Sequence, residues 1–231
     1  RLLLIVEDDE AFARTLARAG ADVVLAARRQ DRISSLADEI ATETGVKTLA
    51  VAMDVTSKES VEAGFKAAAD ALGTVTLVCN NAGMAWPKWA IDSEDEDWDA
   101  TMDTNLKGMW RVATVGARAM RDAGKPGVVI NTASILGLGV APMHMTYSVS
   151  KAGVVQMTKA MAIEFNRMGV RVNALCPGYF KTEINDDFLE TDQGKAMVAH
   201  TPARRVGNLK ELEAPLLALA GAGGSFMAGV A

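Results

Sequence analysis

The chain is poor in the residues that build metal centres and disulfide frameworks: its 231 residues include two cysteines and two histidines. Cys79 and Cys176 each fall in an apolar run that reads as a strand. Buried free thiols are therefore expected rather than a bridge, and a zinc site finds too few ligands. Aromatic residues make up only 5%, so Ala, Val, Leu and Met must fill most of the core. No apolar stretch reaches the roughly 18 residues of a membrane helix, and no signal-peptide pattern is visible. The longest nearly uncharged segment, 213–231, holds Pro215 and four glycines and reads as a buried helix, a turn and a strand entry. The formal net charge is -5 and no Lys/Arg tract offers a nucleic-acid groove. These absences leave one soluble domain spanning residues 1–231, cytoplasmic by default, with no nucleic-acid partner and no membrane. An opening without methionine and a stop at Ala231 suggest a chain trimmed at both ends.

What the chain has is alternation. Short Val/Leu/Ile runs at 2–6, 22–27, 48–53, 75–79, 127–131 and 170–175 predict strands. Helical patterns at about 10–19, 31–44, 61–72, 98–120 and 146–166 separate them, several ended by glycine. Strands alternating with helices over short connections predict an α/β fold: a Rossmann-like, doubly wound parallel sheet in a three-layer α/β/α arrangement. Ligands of such a sheet bind beyond the carboxyl ends of the strands.

Tyr147 and Lys151 are four residues apart on a predicted helix and so share a face, with Ser134 just after the fifth strand. A phenol ordinarily titrates near ~10, and a neighbouring ammonium favours the phenolate and should lower that value. The hydroxyl can then exchange a proton with an alkoxide or alcohol. Ser134 can steady a substrate oxygen, and the Asn105 amide can hold a water linking Lys151 to solvent. A Tyr-x-x-x-Lys pair alone is a weak signal; Ser134 and Asn105 in matching segments make it a stronger one.

The whole set resembles the classical short-chain dehydrogenase/reductase family, over about residues 12–229. The resemblance implies hydride transfer between a nicotinamide cofactor and a carbonyl/alcohol pair. It gives Tyr147 as the acid/base, Ser134 as the group orienting substrate, Lys151 on the nicotinamide ribose and Asn105 in the proton relay. It extends to Asn80-Asn81-Ala82-Gly83 after the fourth strand, where Asn80, Ala82 and Gly83 are implied cofactor-binding residues. Asp54 and Val55 match the pair beside the adenine, and Pro177, Gly178 and Thr182 the segment on the nicotinamide. The family's subunit contacts imply a homodimer or homotetramer through the helices at 98–120 and 146–166.

The second strand ends in Ala26-Ala27-Arg28-Arg29. No carboxylate stands there for a ribose 2′-hydroxyl, and Arg28 can take a 2′-phosphate in a fork, which favours NADP over NAD. The first turn departs from the family: Val6-Glu7-Asp8-Asp9-Glu10-Ala11 has no glycine and is about three residues shorter than a Gly-rich turn. Its acids should repel a pyrophosphate and weaken or abolish cofactor binding. Residues 1–18 instead resemble the opening of a response-regulator receiver domain, in which such acids bind magnesium. In a receiver sheet, however, the first and third strands are neighbours, so Asp54 would complete that site only under a different strand order. Two readings follow: an oxidoreductase with impaired cofactor binding, or a catalytically inactive chimera of receiver-like and dehydrogenase-like fragments serving as a scaffold.

Trp86, Met143, His144, Tyr179 and the stretch 188–198 are expected to form the substrate pocket and lid, with Asp186, Asp187, Glu190 and Asp192 as a solvated lid face. His144 is either a polar loop residue with a local hydrogen bond or a substrate contact. A 3-oxoacyl thioester, a small ketone, a polyol or sugar and a steroid-like alcohol all stay open as substrates. A 3-oxoacyl or simple ketone reductase is favoured.

Overall fold

The structure, a computed structural model, describes residues 2–6, 10–180 and 189–231. The turn acids Glu7, Asp8 and Asp9, together with Thr182, Asp186, Asp187 and Phe188, lie outside the described residues.

Six strands are present: β1 (Leu2–Val6), β2 (Asp22–Ala27), β3 (Thr48–Ala52), β4 (Leu77–Asn80), β5 (Gly127–Thr132) and β6 (Val170–Leu175). They form one sheet in the order β3-β2-β1-β4-β5-β6, and every pairing is parallel. β1 shows why the sheet must be covered on both sides. Leu2, Leu4 and Val6 enter one core cluster, Leu3 and Ile5 the other, because successive side chains point to opposite faces. The Leu3/Ile5 side is packed by α1 (Glu10–Arg18), α2 (Gln30–Thr44) and the helix Glu213–Ala220, through Phe12, Leu16, Ile33, Ile40 and Leu216. The opposite side is packed by α3 (Lys58–Leu72), α5 (Met109–Asp122) and α6 (Met145–Phe165), through Val61, Phe65, Val112 and Met161. The fold is thus the expected three-layer, Rossmann-like α/β/α sandwich.

Local signals set the helix ends. Ser57 caps α3 by accepting from the Ser60 N–H at 3.1 Å, and α2 stops at Gly45, whose φ of 74° is left-handed. The helix expected at 98–120 begins earlier, as α4 (Asp95–Met102), with Asp97 accepting from the Glu94 N–H at 3.1 Å. A π-helical turn, Asp103–Gly108, then joins α4 to α5. Periodicity could not reveal it, because the apolar stripe resumes after the wider turn.

The strand order places β2 between β1 and β3. This is the Rossmann order and not the receiver order, so Asp54, just beyond β3, does not adjoin the end of β1. At the other edge, no strand is assigned to the last residues, but they run beside β6: the Gly229 N–H donates to the Val172 carbonyl and the Ala174 N–H to that of Val230, both at 2.8 Å. The Asn173 amide pins the same segment by donating to the Met227 carbonyl at 2.9 Å. Among the described residues no helix is long and apolar enough to cross a membrane.

Candidate active site

The chain moves outward from β1 through β2 to β3, then crosses back to β4 on the other side of β1. That reversal opens a crevice at the carboxyl ends of the strands, the usual ligand position in an open α/β sheet. A cavity of about 690 Å³ lies there, within the range of small-molecule sites. Arg28, Asp54, Val55, Ala82 and Gly83 line it together, although β2, β3 and β4 supply them from distant parts of the chain. The Asp54 Oδ1 accepts from Thr56 twice, from Oγ1 at 2.7 Å and from the N–H at 2.9 Å. The Thr56 hydroxyl bond, with smaller help from Arg28 and Arg111, holds the Asp54 carboxyl below its usual range against the opposing effect of burial. It is therefore an anion with its backbone turn already fixed.

Asn80 is placed differently. It is fully buried, behind the cavity, and its amide donates to the Met109 carbonyl at 2.7 Å and to Asn131 Oδ1 at 3.2 Å. It ties β4 to α5 and β5. Gly83 links the cavity to the Tyr/Lys group: a Cβ there would lie 3.4 Å from Lys151 Nζ and 3.5 Å from Asn105 Oδ1.

Ser134 leaves β5 and caps a short 3-10 turn, accepting from the Leu136 N–H at 3.1 Å. Tyr147 stands on the first turn of α6, with the Ser134 hydroxyl near enough to favour its ionised form. Burial pushes the Tyr147 phenol above its ordinary value, and the Ser134 hydroxyl opposes that shift. The expectation that Lys151 lowers it is not met. The reason is geometric: the buried Lys151 ammonium donates to the Thr132 carbonyl at 2.7 Å and sits over the face of the Tyr147 ring, 5.7 Å from its centroid. That position readies Lys151 to meet a ligand beside Gly83 and anchors α6 to the end of β5.

Asn105 occupies the π-helical turn and is fully buried. Its Oδ1 accepts from the Met84 N–H at 2.8 Å, and its Nδ2 donates to the Met84 carbonyl at 2.8 Å and to Ser150 Oγ at 3.1 Å. Ser150 Oγ in turn donates to the Tyr147 carbonyl at 2.7 Å. Asn105 therefore clamps the loop after β4 to α6. The sequence reading missed Ser150 and Thr132. The signal for Ser150 was available: it lies three residues after Tyr147 and next to Lys151, on the same inward helix face. Thr132 acts through its backbone, which no side-chain pattern announces.

Pro177 and Gly178 follow β6, and the Pro177 carbonyl accepts from the Ile135 N–H at 3.0 Å. The exits of β5 and β6 thus run together beside Ser134. Of the four acids expected to face a pyrophosphate, Glu10 is engaged elsewhere: its carboxylate pairs with Arg14 at 2.7 Å. Arg14 also binds Glu39 and Glu43, joining α1 to α2. Glu10 spends its charge within that network. Of the expected pocket residues, Trp86 is 60% exposed and does not fill a buried pocket. Tyr179 offers its carbonyl to the Gly207 N–H at 2.8 Å.

A family model described as enoyl-(acyl carrier protein) reductase matches residues 10–231. The 3-oxoacyl-(acyl-carrier-protein) reductase FabG of Vibrio cholerae is 31% identical over 220 residues, 95% of this chain and 88% of that protein. A short-chain type dehydrogenase/reductase from Mycobacterium marinum superposes with a TM-score of 0.93 at 34% identity, over 100% of this chain and 92% of that one. A gluconate 5-dehydrogenase from Burkholderia cenocepacia, solved with NADP and tartrate, superposes with a TM-score of 0.93 at 30% identity, over 99% of this chain and 91% of that one.

Proposed function

The chain belongs to the short-chain dehydrogenase/reductase family, and we propose that it interconverts a carbonyl and an alcohol by hydride transfer, with Tyr147 as acid/base. The observation that carries this reading is the Tyr147 phenol brought together with the Ser134 hydroxyl, under a buried Lys151 that lies 5.7 Å from its ring centroid and is tethered to Thr132. The nicotinamide cofactor supplies or accepts the hydride when bound. Arg28, Asp54, Val55, Ala82 and Gly83 fit its adenosine half as cavity walls. Lys151, next to Gly83, would take the second ribose; Pro177, Gly178 and Thr182 would flank the ring. Tyr147 gives its proton to the nascent alkoxide in reduction or takes it from the alcohol in oxidation. Ser134 holds the substrate oxygen at that phenol, and Asn105 keeps the helix that carries both Tyr147 and Lys151 against the loop after β4. The test is nicotinamide oxidation over a panel of ketones: wild-type turnover lost in Tyr147→Phe supports the reading, and equal turnover by that variant refutes it.

NADP is the preferred cofactor on this reading. β2 ends without an acid, and Arg28 on the cavity wall offers a fork to a 2′-phosphate. Arg28→Ala should then weaken NADPH more than tenfold and NADH little; equal losses would sink the assignment.

Cofactor binding is weakened by Glu7, Asp8 and Asp9, which stand in the chain where the family has its Gly-rich turn. One carboxylate and one phosphate charge ~4 Å apart cost at most about 4 kcal/mol at an effective dielectric near 20, and solvent reduces this. Even about 3 kcal/mol is roughly 150-fold in affinity. A low-micromolar NADPH dissociation constant would contradict this weakening. A variant with a Gly-rich turn at 6–11 separates a weak enzyme from an inactive chimera, since only the former is active before the change. Superposition on solved relatives across the whole chain, β1 included, supports a single fold over a chimeric origin. We further propose a cytoplasmic homodimer or homotetramer, a reading supported by exposed Trp110, Val149 and Ile163 on α5 and α6.

A further inference from the structure

His144 opens α6 as its N-terminal cap residue, one turn before Tyr147. Its Nδ1 lies 2.8 Å from the Pro142 carbonyl. A carbonyl only accepts, so Nδ1 carries the proton, and in the neutral ring Nε2 is left as an acceptor. Among the described residues Nε2 has no hydrogen-bond partner. The ring meets that of Tyr147 edge-on, with centroids 6.4 Å apart and planes at 78°.

The backbone is bent to achieve this. Met143 has a φ of 63°, left-handed for a residue with a side chain, a conformation that persists only where its surroundings impose it. They do so here, because the Lys88 N–H donates to the Met143 carbonyl at 2.8 Å. Lys88 is itself held by Asp97 at 2.6 Å. The segment after β4 therefore fixes the residue that aims His144. Its ammonium is already paired, so no charge competes for the imidazole from that side.

We propose that His144 Nε2 accepts a hydrogen bond from a substrate hydroxyl on the carbon next to the reacting one. The substrates of this site are then α-hydroxy ketones and vicinal diols rather than simple ketones. This inference rests on the hydride-transfer reading above and specifies its substrate class. The edge-on contact keeps the imidazole beside the phenol, so one substrate can meet both through hydrogen bonds of about 2.8 Å. His144 discriminates because a site that offers an acceptor disfavours the analogue lacking the matching hydroxyl.

The experiment compares matched pairs, acetoin with 2-butanone and 2-hydroxycyclohexanone with cyclohexanone, using NADPH and NADH. His144→Asn keeps an amide donor near the Nδ1 position and a favoured capping residue, but removes Nε2. His144→Gln places a polar acceptor within reach of the Nε2 position. The wild type should prefer the hydroxylated member of each pair. His144→Asn should lose about tenfold in kcat/KM on it, chiefly through KM, and stay within about twofold on the other. His144→Gln should recover most of the loss. Equal losses on both members would mean that the ring merely packs against Tyr147, and no loss would mean that it is idle; either overturns the assignment alone. Turnover of neither member of any pair, by the wild type at high cofactor concentration and equally by the variant with a Gly-rich turn at 6–11, would overturn the hydride-transfer reading and this inference with it.

Discussion

Replacing Asn105 by Ala removes three hydrogen bonds at once. The Met84 N–H loses its acceptor, the Met84 carbonyl its donor, and Ser150 Oγ the Nδ2 donor. Net contributions run near 1 kcal/mol each, more where a buried partner stays unpaired. Met84 is only half-buried, so water can replace part of what its backbone loses. The sum is about 2–4 kcal/mol of stability, or a fall of roughly 5–15 °C in Tm for a domain of this size. The same change frees the Tyr147 turn from the loop after β4, so kcat should fall as well. Thermal melts by circular dichroism, with kinetics on the same preparation, check both parts. The Asn105→Ala/Ser150→Ala pair should show a coupling of about 0.5–1.5 kcal/mol in a double-mutant cycle. A Tm within about a degree of wild type would refute the clamp. A large Tm loss with kcat unchanged would show that the clamp holds the fold but does not position Tyr147.

Two predictions concern protons. On the proposed reading, carbonyl reduction needs the protonated Tyr147 phenol, and burial raises its pKa, so kcat/KM for reduction should stay level through neutral pH and fall only well into the alkaline range. A fall beginning near pH 7 would show that the Lys151 charge wins after all. Glu211 takes two hydrogen bonds from Arg205 and one from the Asn208 N–H, and the Arg205 bond leads in drawing its pKa down to about 2. A depressed carboxyl stabilises the fold above its unfolded pKa of about 4.3, and that contribution fades as pH falls toward about 2. The Tm gap between wild type and Glu211→Gln should therefore be constant from neutral pH to about 5 and then shrink; a gap that persists in acid would count against the pairing.

Much of the fold was readable because one physical rule dominates it. A parallel strand buried on both sides must be apolar at every position, as Leu2–Val6 is, and glycine marks the helix stops at Gly45 and Gly73. The site was legible where chemistry demands particular side chains, as at Ser134, Tyr147 and Lys151. It was not legible where the backbone does the work. The Thr132 carbonyl that holds Lys151 and the Met84 peptide that holds Asn105 carry no residue-type signature. Burial also misled the reading of Tyr147: helical spacing puts an ammonium nearby, but spacing alone cannot say that the ammonium donates to a carbonyl while the phenol is desolvated. The Glu10 ion pair with Arg14, one turn on along its own helix, also went unread.

The widened turn between α4 and α5 accommodates one more residue than a regular helix would, and α4 and α5 keep their inward sides aligned only because of it. Deleting a single residue between Asp103 and Gly108 would let the helix close into an unbroken spiral, in better local geometry than now. Because the wide turn absorbs that residue, Thr101 before it and Val112 and Met120 after it would keep their inward places. Asn105, which the turn itself carries, would be moved off Met84 and Ser150. A better-formed helix would thus be a poorer mount for the side chain it presents.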